Sequence, residues 1–273
     1  MSVNDYEFAT DLANTMNWNM APEDFEFNRS LEPDGCSVAL DDSTRIGIAT
    51  CISFGQVGWF GNLIVEKEYR KHGVGGLLVK HAVNYLQNKG VTTIGLYANP
   101  GLQTFYGTLG FKLEMDFSVL SVETLDVTET EAGPENGVRH ISEVEQFDRD
   151  YFGGERKRLL ESIILEKGNL SYCAFDGKEL EGYVAATVYE KMAWVGPLIC
   201  QESKVDVATG LIQAVLRKLS GLSVYMVLPK KEKTLHEMLF DAGFDEEFSV
   251  SRMFLGPPVS KNCIYLAESL ERG

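Results

Sequence analysis

Hydrophobic positions along the chain follow two alternating rhythms. WFGNLIV at 59–65 is a short apolar run bounded by glycine, which predicts a strand. Beyond it, Val74, Leu77, Leu78, Ala82, Tyr85 and Leu86 recur at three- and four-residue steps. That spacing predicts an amphipathic helix with these side chains inward. Lys89 followed by Gly90 predicts its end. A further helix is expected in DRDYFGGERKRLLESIILEKGN, with Leu159, Leu160, Ile163 and Ile164 facing a core.

The rhythm repeats. IGIAT (46–50) returns as EGYVA (181–185), and WFGNLIV (59–65) as WVGPLIC (194–200), matching Trp59, Gly61, Leu63 and Ile64. LQTFYGTLGF (102–111) returns as LHEMLFDAGF (235–244), and FSV at 117 returns at 248. Four matches in one order indicate two tandem copies of one fold. Residues 121–139 begin strand-like and turn acidic with Gly and Pro, so the joint is expected near 128–137 and the two domains at 1–130 and 131–273.

Composition narrows the class. The chain has 273 residues, 44% hydrophobic and 11% aromatic, enough for a full globular core. No run approaches the roughly 18 apolar residues of a membrane span, and MSVNDYEFATDL has no signal-peptide pattern. Five scattered cysteines fit a reducing compartment, so the cytoplasm is expected. Neither the cysteines nor the four dispersed histidines have metal-ligand spacing, and no metal is expected. The formal charge of −15 argues against nucleic acid and is compatible with a cationic, amine-bearing partner. Against that acidity, the local cluster Arg70, Lys71 and His72 stands out.

That cluster leads into Gly73, Gly75 and Gly76 at the predicted helix start. Free N–H groups and the positive end of the helix dipole favour an anion there. A flexible turn with solvated basic residues is the plain alternative. A dinucleotide fingerprint fails, because Leu78 occupies its third glycine position and VTTIGLY supplies no acid. A nucleotide P-loop fails for want of Gly-Lys-Ser/Thr.

Arg-x-x-Gly-x-Gly at 70–75, between strand and helix, resembles the acyl-CoA pyrophosphate loop of the GNAT N-acetyltransferases. The resemblance continues through VTTIGLYANPGLQTFYGTLGFK, with Asn99 and Tyr106 in the family's spacing and Gly110-Phe111 following. Asp150, Phe152-Gly153, Arg156 and Leu159-Leu160, with MNWNMAPEDFEFN and EPDGCSVAL near the start, are similar to a two-lobed GNAT subgroup whose second lobe is degenerate. The implied fold is α/β (α+β): tandem GNAT units, each a mixed, largely antiparallel sheet flanked by helices.

The resemblance implies acetyl-CoA as acyl donor, an amine attacking its thioester in a ternary complex, and no metal. It implies that Leu63, Ile64 and Val65 pair through their backbone with pantetheine amides, as in strand addition. Arg70, Lys71, His72, Gly73, Val74, Gly75 and Gly76 would cradle the pyrophosphate. Asn99 would bond the pantetheine or a water, although Asn-Pro-Gly is also an ordinary turn. Tyr106 would be the acid for the departing thiolate, a role a phenol can fill at neutral pH. Tyr106 packing beside Phe105 and Phe111 is the plain alternative. For a base, Glu66, Glu23, Asp24 and Glu26 are candidates and none stands out. The second copy lacks the basic cluster and glycine pair and has Leu239 in place of Tyr106, so it is expected to fold alike without binding CoA. A small amine is the expected partner of a monomer or homodimer, with no nucleic acid and no membrane. A non-catalytic acyl-CoA sensor or a protein N-acetyltransferase are the alternatives.

Overall fold

The computed structural model describes residues 1–125, 135–257 and 261–273. The expected joint near 128–137, with its boundary between 130 and 131, lies for the most part outside the described residues. Two helices, α1 (Tyr6–Asn14) and α2 (Pro22–Leu31), precede strands β1 (Cys36–Asp41), β2 (Thr44–Phe54) and β3 (Val57–Val65). The apolar run at 59–65 is thus the greater part of β3. After the glycine loop come α3 (Val74–Asn88), β4 (Thr93–Ala98), α4 (Gln103–Thr108) and β5 (Lys112–Val122).

The α3 helix ends where expected, with Lys89 as C-cap and Gly90 at φ 88. Its buried stripe is Leu78, Val79, Ala82 and Leu86, whereas Leu77 is 68% exposed. Leu77 therefore corrects the expected inward face. One residue turns the helix by about 100°, so a side chain just before the stripe swings off the sheet. Leu77 instead borders an open trough with Val38, Ala39 and Leu40 of the edge strand β1.

The second copy repeats this order. A two-residue strand β6 (Glu135–Asn136) and helices α5 (Ile141–Phe152) and α6 (Lys157–Ile164) precede β7 (Leu170–Asp176), β8 (Glu179–Val188) and β9 (Met192–Gln201). Then follow α7 (Val205–Leu216), β10 (Ser223–Pro229), α8 (Lys233–Asp241), β11 (Asp245–Leu255) and β12 (Cys263–Leu266). The four apolar residues expected to face inward on α6 do so: Leu159, Leu160, Ile163 and Ile164 are all buried.

Among the described residues the strands form one sheet in the order β1-β2-β3-β4-β11-β5-β10-β9-β8-β7-β6, with β12 added to β9. The pairs β3–β4 and β9–β10 are parallel and the other ladders antiparallel. The order reveals an exchange. β11, from the second copy, pairs with β4 of the first (Ser251 opposite Ala98), while β5, from the first, pairs with β10 of the second (Val122 opposite Val224). The exchanged strands also pair with each other from Asp245–Ser121 to Phe254–Lys112. At this seam Arg252 makes two bonds to Glu114, 2.5 and 2.9 Å, and its guanidinium lies 4.8 Å from the Phe117 ring centroid.

One face of the first half of the sheet carries α3, packed on Ala49, Cys51, Phe60, Leu96 and Tyr106. The other face carries Trp59, Phe117, Phe152, Phe254 and the α5–α6 pair, joining both copies in one apolar cluster. Burying each such aromatic contributes about 1.5–3 kcal/mol. Within this layer Arg156, fully buried, bonds Asp148 at 3.1 and 2.5 Å and the main-chain oxygen of Gly273 at 2.9 Å. No helix among the described residues is long and apolar enough to cross a membrane.

Candidate active site

β3 and β4 begin as neighbours and then part. They pair only from Val57–Thr93 to Trp59–Gly95. Past Trp59, β3 stays on β2 as far as Val65 opposite Gly47, and β4 stays on β11. A register shift falls between Ile48 and Thr50, opposite the stretch Gly61–Ile64. Asn62 sits there at φ 50, its amide donating to the Thr50 hydroxyl at 3.2 Å. This β-bulge bends the strand and raises its local twist. The edge of Leu63, Ile64 and Val65 that would face β4 thus has no strand partner; apart from the Val65 carbonyl, which Arg70 holds, its outward backbone groups are open to an extended ligand.

The glycine loop stands at the end of that cleft. Gly73 is the N-cap of α3 at φ 87, a left-handed conformation that favours glycine. A Cβ added at Gly73 or Gly76 would meet nothing within 4 Å, and one at Gly75 would lie 3.6 Å from Phe105, 3.9 Å from Val65 and 4.0 Å from Leu63. The missing Cβ atoms therefore leave a hollow above the first turn of α3, where the helix's unpaired N–H groups emerge. Lys71, at φ 65, and His72 are exposed beside it. Arg70 is used differently: its Nε donates to the Val65 carbonyl at 2.7 Å, tying the loop to the end of β3. The hollow, its helix dipole and the flanking cations suit a diphosphate, and the adjacent open edge suits an amide-bearing arm.

Tyr106 lies on α4, 5% exposed, with ring centroids of Phe105, Phe111 and Phe60 at 5.0, 5.9 and 6.5 Å. Burial pushes its hydroxyl pKa above the usual tyrosine value, with no opposing charge. The phenol thus stays protonated across the physiological range. Asn99 follows β4 directly and its carbonyl accepts from Leu102 N at 3.0 Å, making the turn into α4. Leu63, Val65, Gly75, Phe105 and Tyr106, far apart in sequence, are brought to one cleft.

On the opposite face, the segment after β12 crosses β3. An added Cβ on Gly61 would lie 2.5 Å from Glu271 Cβ, and one on Gly273 would lie 2.8 Å from the Trp59 ring. Trp59 Nε1 donates to the Leu270 carbonyl at 3.3 Å. Arg272 bonds Glu268 at 2.8 and 3.1 Å, Glu271 at 2.7 Å and the Asn28 side-chain oxygen at 3.1 Å. Sequence reasoning missed Glu271 altogether. Its one signal was the repeated Trp-x-Gly-x-Leu-Ile, since a glycine kept inside an apolar strand marks close backbone approach.

The second copy differs at this cleft. β9 and β10 pair from Met192–Ser223 to Val195–Met226 and then part, as β3 and β4 do. There β12 enters the gap, pairing Leu266 with Leu198 through Cys263 with Gln201, and Ala267 N donates to Val227 O at 3.1 Å. The chain supplies its own strand where the first copy is open. Leu239, at the position of Tyr106, is wholly buried.

Comparison with known proteins agrees with this geometry. Residues 6–111 match the "Acetyltransferase (GNAT) family" profile and residues 144–266 the "Acetyltransferase (GNAT) domain" profile. The chain is 25% identical over 210 residues, 73% of its length and 71% of the relative's, to the "Uncharacterized N-acetyltransferase YitH" of Bacillus subtilis. A crystal structure of a putative acetyltransferase from Pyrococcus horikoshii aligns with TM-score 0.83 and 22% identity, covering 100% of this chain and 94% of that one. A GCN5-related N-acetyltransferase from Sphaerobacter thermophilus aligns with TM-score 0.67 and 14% identity, covering 96% of each. At these identities the two structures speak for the fold. Their agreement with both sequence profiles places the chain in the GNAT acetyltransferase family, as a tandem member with one GNAT domain at 6–111 and another at 144–266.

Proposed function

We propose that this protein transfers an acetyl group from acetyl-CoA, the donor its family implies, to a primary amine, using the cleft of the first copy alone. One observation carries the reading: the diverging strand edge is open in front of the glycine loop in the first copy and filled by β12 in the second. The first-turn N–H groups of α3, with Lys71 and His72, hold the diphosphate. The outward backbone groups of Leu63, Ile64 and Val65, other than the Val65 carbonyl that Arg70 holds, pair with the pantetheine amides, which directs the thioester toward Gly61 and Asn62. The amine nitrogen attacks the thioester carbon, a C–N bond forms, and the C–S bond breaks. Tyr106 gives its proton to the departing thiolate and is restored by the proton that the nitrogen sheds as the amide forms; the first proton, lost by the ammonium before attack, passes to solvent. The phenol, kept protonated by burial, is available for that donation at neutral pH.

The test is release of free CoA thiol by the purified protein on a panel of primary amines. Turnover that falls in Tyr106→Phe while acetyl-CoA binding persists supports the reading. Tight CoA binding with no turnover on any amine would instead make the protein a sensor of acyl-CoA.

A further inference from the structure

The route by which an incoming ammonium loses its proton is the open step of the reaction. The sequence offered Glu66, Glu23, Asp24 and Glu26. In the structure Glu23 and Glu26 are exposed on α2, and Asp24 caps that helix by accepting from Ala21 N at 2.8 Å. Glu66 lies past β3, beyond the bulge, and is half-exposed. A fifth carboxylate, from the far end of the sequence, lies nearer the parting of the strands.

Glu271 lies directly on Gly61, two residues past Trp59, the last residue of β3 paired with β4. An added Cβ on Gly61 would sit 2.5 Å from Glu271 Cβ and 2.6 Å from its Cα, so only glycine admits this segment. Its side chain is 19% exposed, which leaves one side open to an arriving molecule. The segment is fixed from three directions. Trp59 holds Leu270, Arg156 holds Gly273, and Arg272 links Glu268 to Asn28 of α2. Asn28 is fully buried, and although its side-chain oxygen accepts from Arg272, its Nδ2 has no partner.

The charges around Glu271 come from several elements. Arg272 and Glu268 share its segment, Asp24 belongs to α2, and Tyr189 belongs to the turn between β8 and β9. One guanidinium is therefore shared: Arg272 bonds Glu268 at 2.8 and 3.1 Å and Glu271 at 2.7 Å, while Asp24 adds a third carboxylate to the surroundings. Burial raises the Glu271 pKa above its usual value; Arg272 lowers it, while Glu268 and Asp24 raise it further. A carboxylate in that state accepts a proton more readily than a solvated one.

We propose that Glu271, delivered by the second copy onto Gly61 of the first, holds the acceptor's ammonium and takes its proton, and that the surrounding carboxylates select an acceptor with a further positive charge and no carboxylate of its own. This rests on the acetyl-transfer reading above. The balance is as follows: Glu271 receives one proton from R–NH3+, the freed amine attacks the thioester carbon, and Tyr106 supplies the proton that leaves with CoA thiol. The adduct nitrogen gives up its second proton as the amide forms, which restores the Tyr106 phenol, and Glu271 returns the first proton to water on product release. The second copy is then part of the active site, in the role of acceptor clamp.

The experiment uses the full chain and Glu271→Gln, with an aliphatic diamine, a neutral-tailed monoamine and a free amino acid as acceptors. For the diamine, kcat/KM is expected to fall about 100-fold or more, as for loss of a general base. The acetyl-CoA Kd should be unchanged, and the acidic limb of the kcat/KM–pH profile should vanish. Calorimetric binding of 1,4-diaminobutane should weaken at least tenfold. Wild-type kcat/KM should be at least tenfold higher for the diamine than for the amino acid. Should Glu271→Gln lower the thermal midpoint, Glu271→Asp replaces it: a retained carboxylate keeps the acidic limb while reducing kcat/KM. A wild-type enzyme that turns over the diamine and a Glu271→Gln variant within twofold of it, with the limb intact, overturns the proposal alone. A wild-type protein that binds acetyl-CoA and acetylates no amine overturns the acetyl-transfer reading and this proposal with it.

Discussion

Replacing Tyr106 by Phe removes one hydroxyl and leaves the ring where it is. Contacts with Phe105, Phe111 and Phe60, at 5.0, 5.9 and 6.5 Å between centroids, survive the change. Among the described residues no group hydrogen-bonds that hydroxyl, so no partner is orphaned, and stability should move by less than about 1.5 kcal/mol. The chemical step should lose the contribution of a positioned acid, about 10²–10⁴-fold. At 1.36 kcal/mol per decade, that is about 3–5 kcal/mol of barrier. The assay pairs thiol release with calorimetric titration of acetyl-CoA. The pH dependence of stability gives a second readout. Burial raises the Tyr106 pKa, so its contribution is complete below about 10 and is lost as pH rises from there toward the folded value. Tyr106→Phe should flatten that alkaline decline. A variant whose kcat stays within twofold of wild type would refute the acid role, whatever its binding.

Gly76→Asp places a carboxylate in the hollow over α3, where an added Cβ meets no protein atom within 4 Å; acetyl-CoA Kd should rise at least tenfold in calorimetry, with the melting temperature nearly unchanged. Arg156→Met strips the fully buried Asp148 of its guanidinium, which should destabilise the fold by about 3–5 kcal/mol, measurable by denaturant titration. Residues 1–125 expressed alone lack β11 and leave β4 and β5 with bare edges; circular dichroism and gel filtration should find them unfolded or aggregated, and a folded monomer would contradict the exchanged sheet.

The parts of this protein that were legible in the sequence are those written in local spacing. The helix over Val74–Asn88, the strand before it, the glycines between them and the paired segments at 59–65 and 194–200 follow from periodicity and turn chemistry within a few tens of residues. Leu77 escaped because a three-and-four-residue rhythm tolerates one extra apolar residue at the margin of the stripe. The strand exchange escaped for a different reason. β5 and β11 have matching patterns, FSV at 117 and at 248, so either could sit beside β4 on hydrophobic grounds; edge order is fixed by tertiary contacts such as Arg252 with Glu114. The same holds for β12, four apolar residues that pair within a gap no local signal announces. Glu271 was invisible because its environment is assembled from Gly61, Asp24 and Tyr189, residues separated by most of the chain.

Calorimetric titration of the intact chain with acetyl-CoA tests the central claim most directly, because it counts sites. One cleft open and one filled by β12 predicts a single molecule bound per chain, and a Gly76→Asp variant in which that binding is weakened. Two sites per chain, none, or one site indifferent to Gly76→Asp would contradict the account.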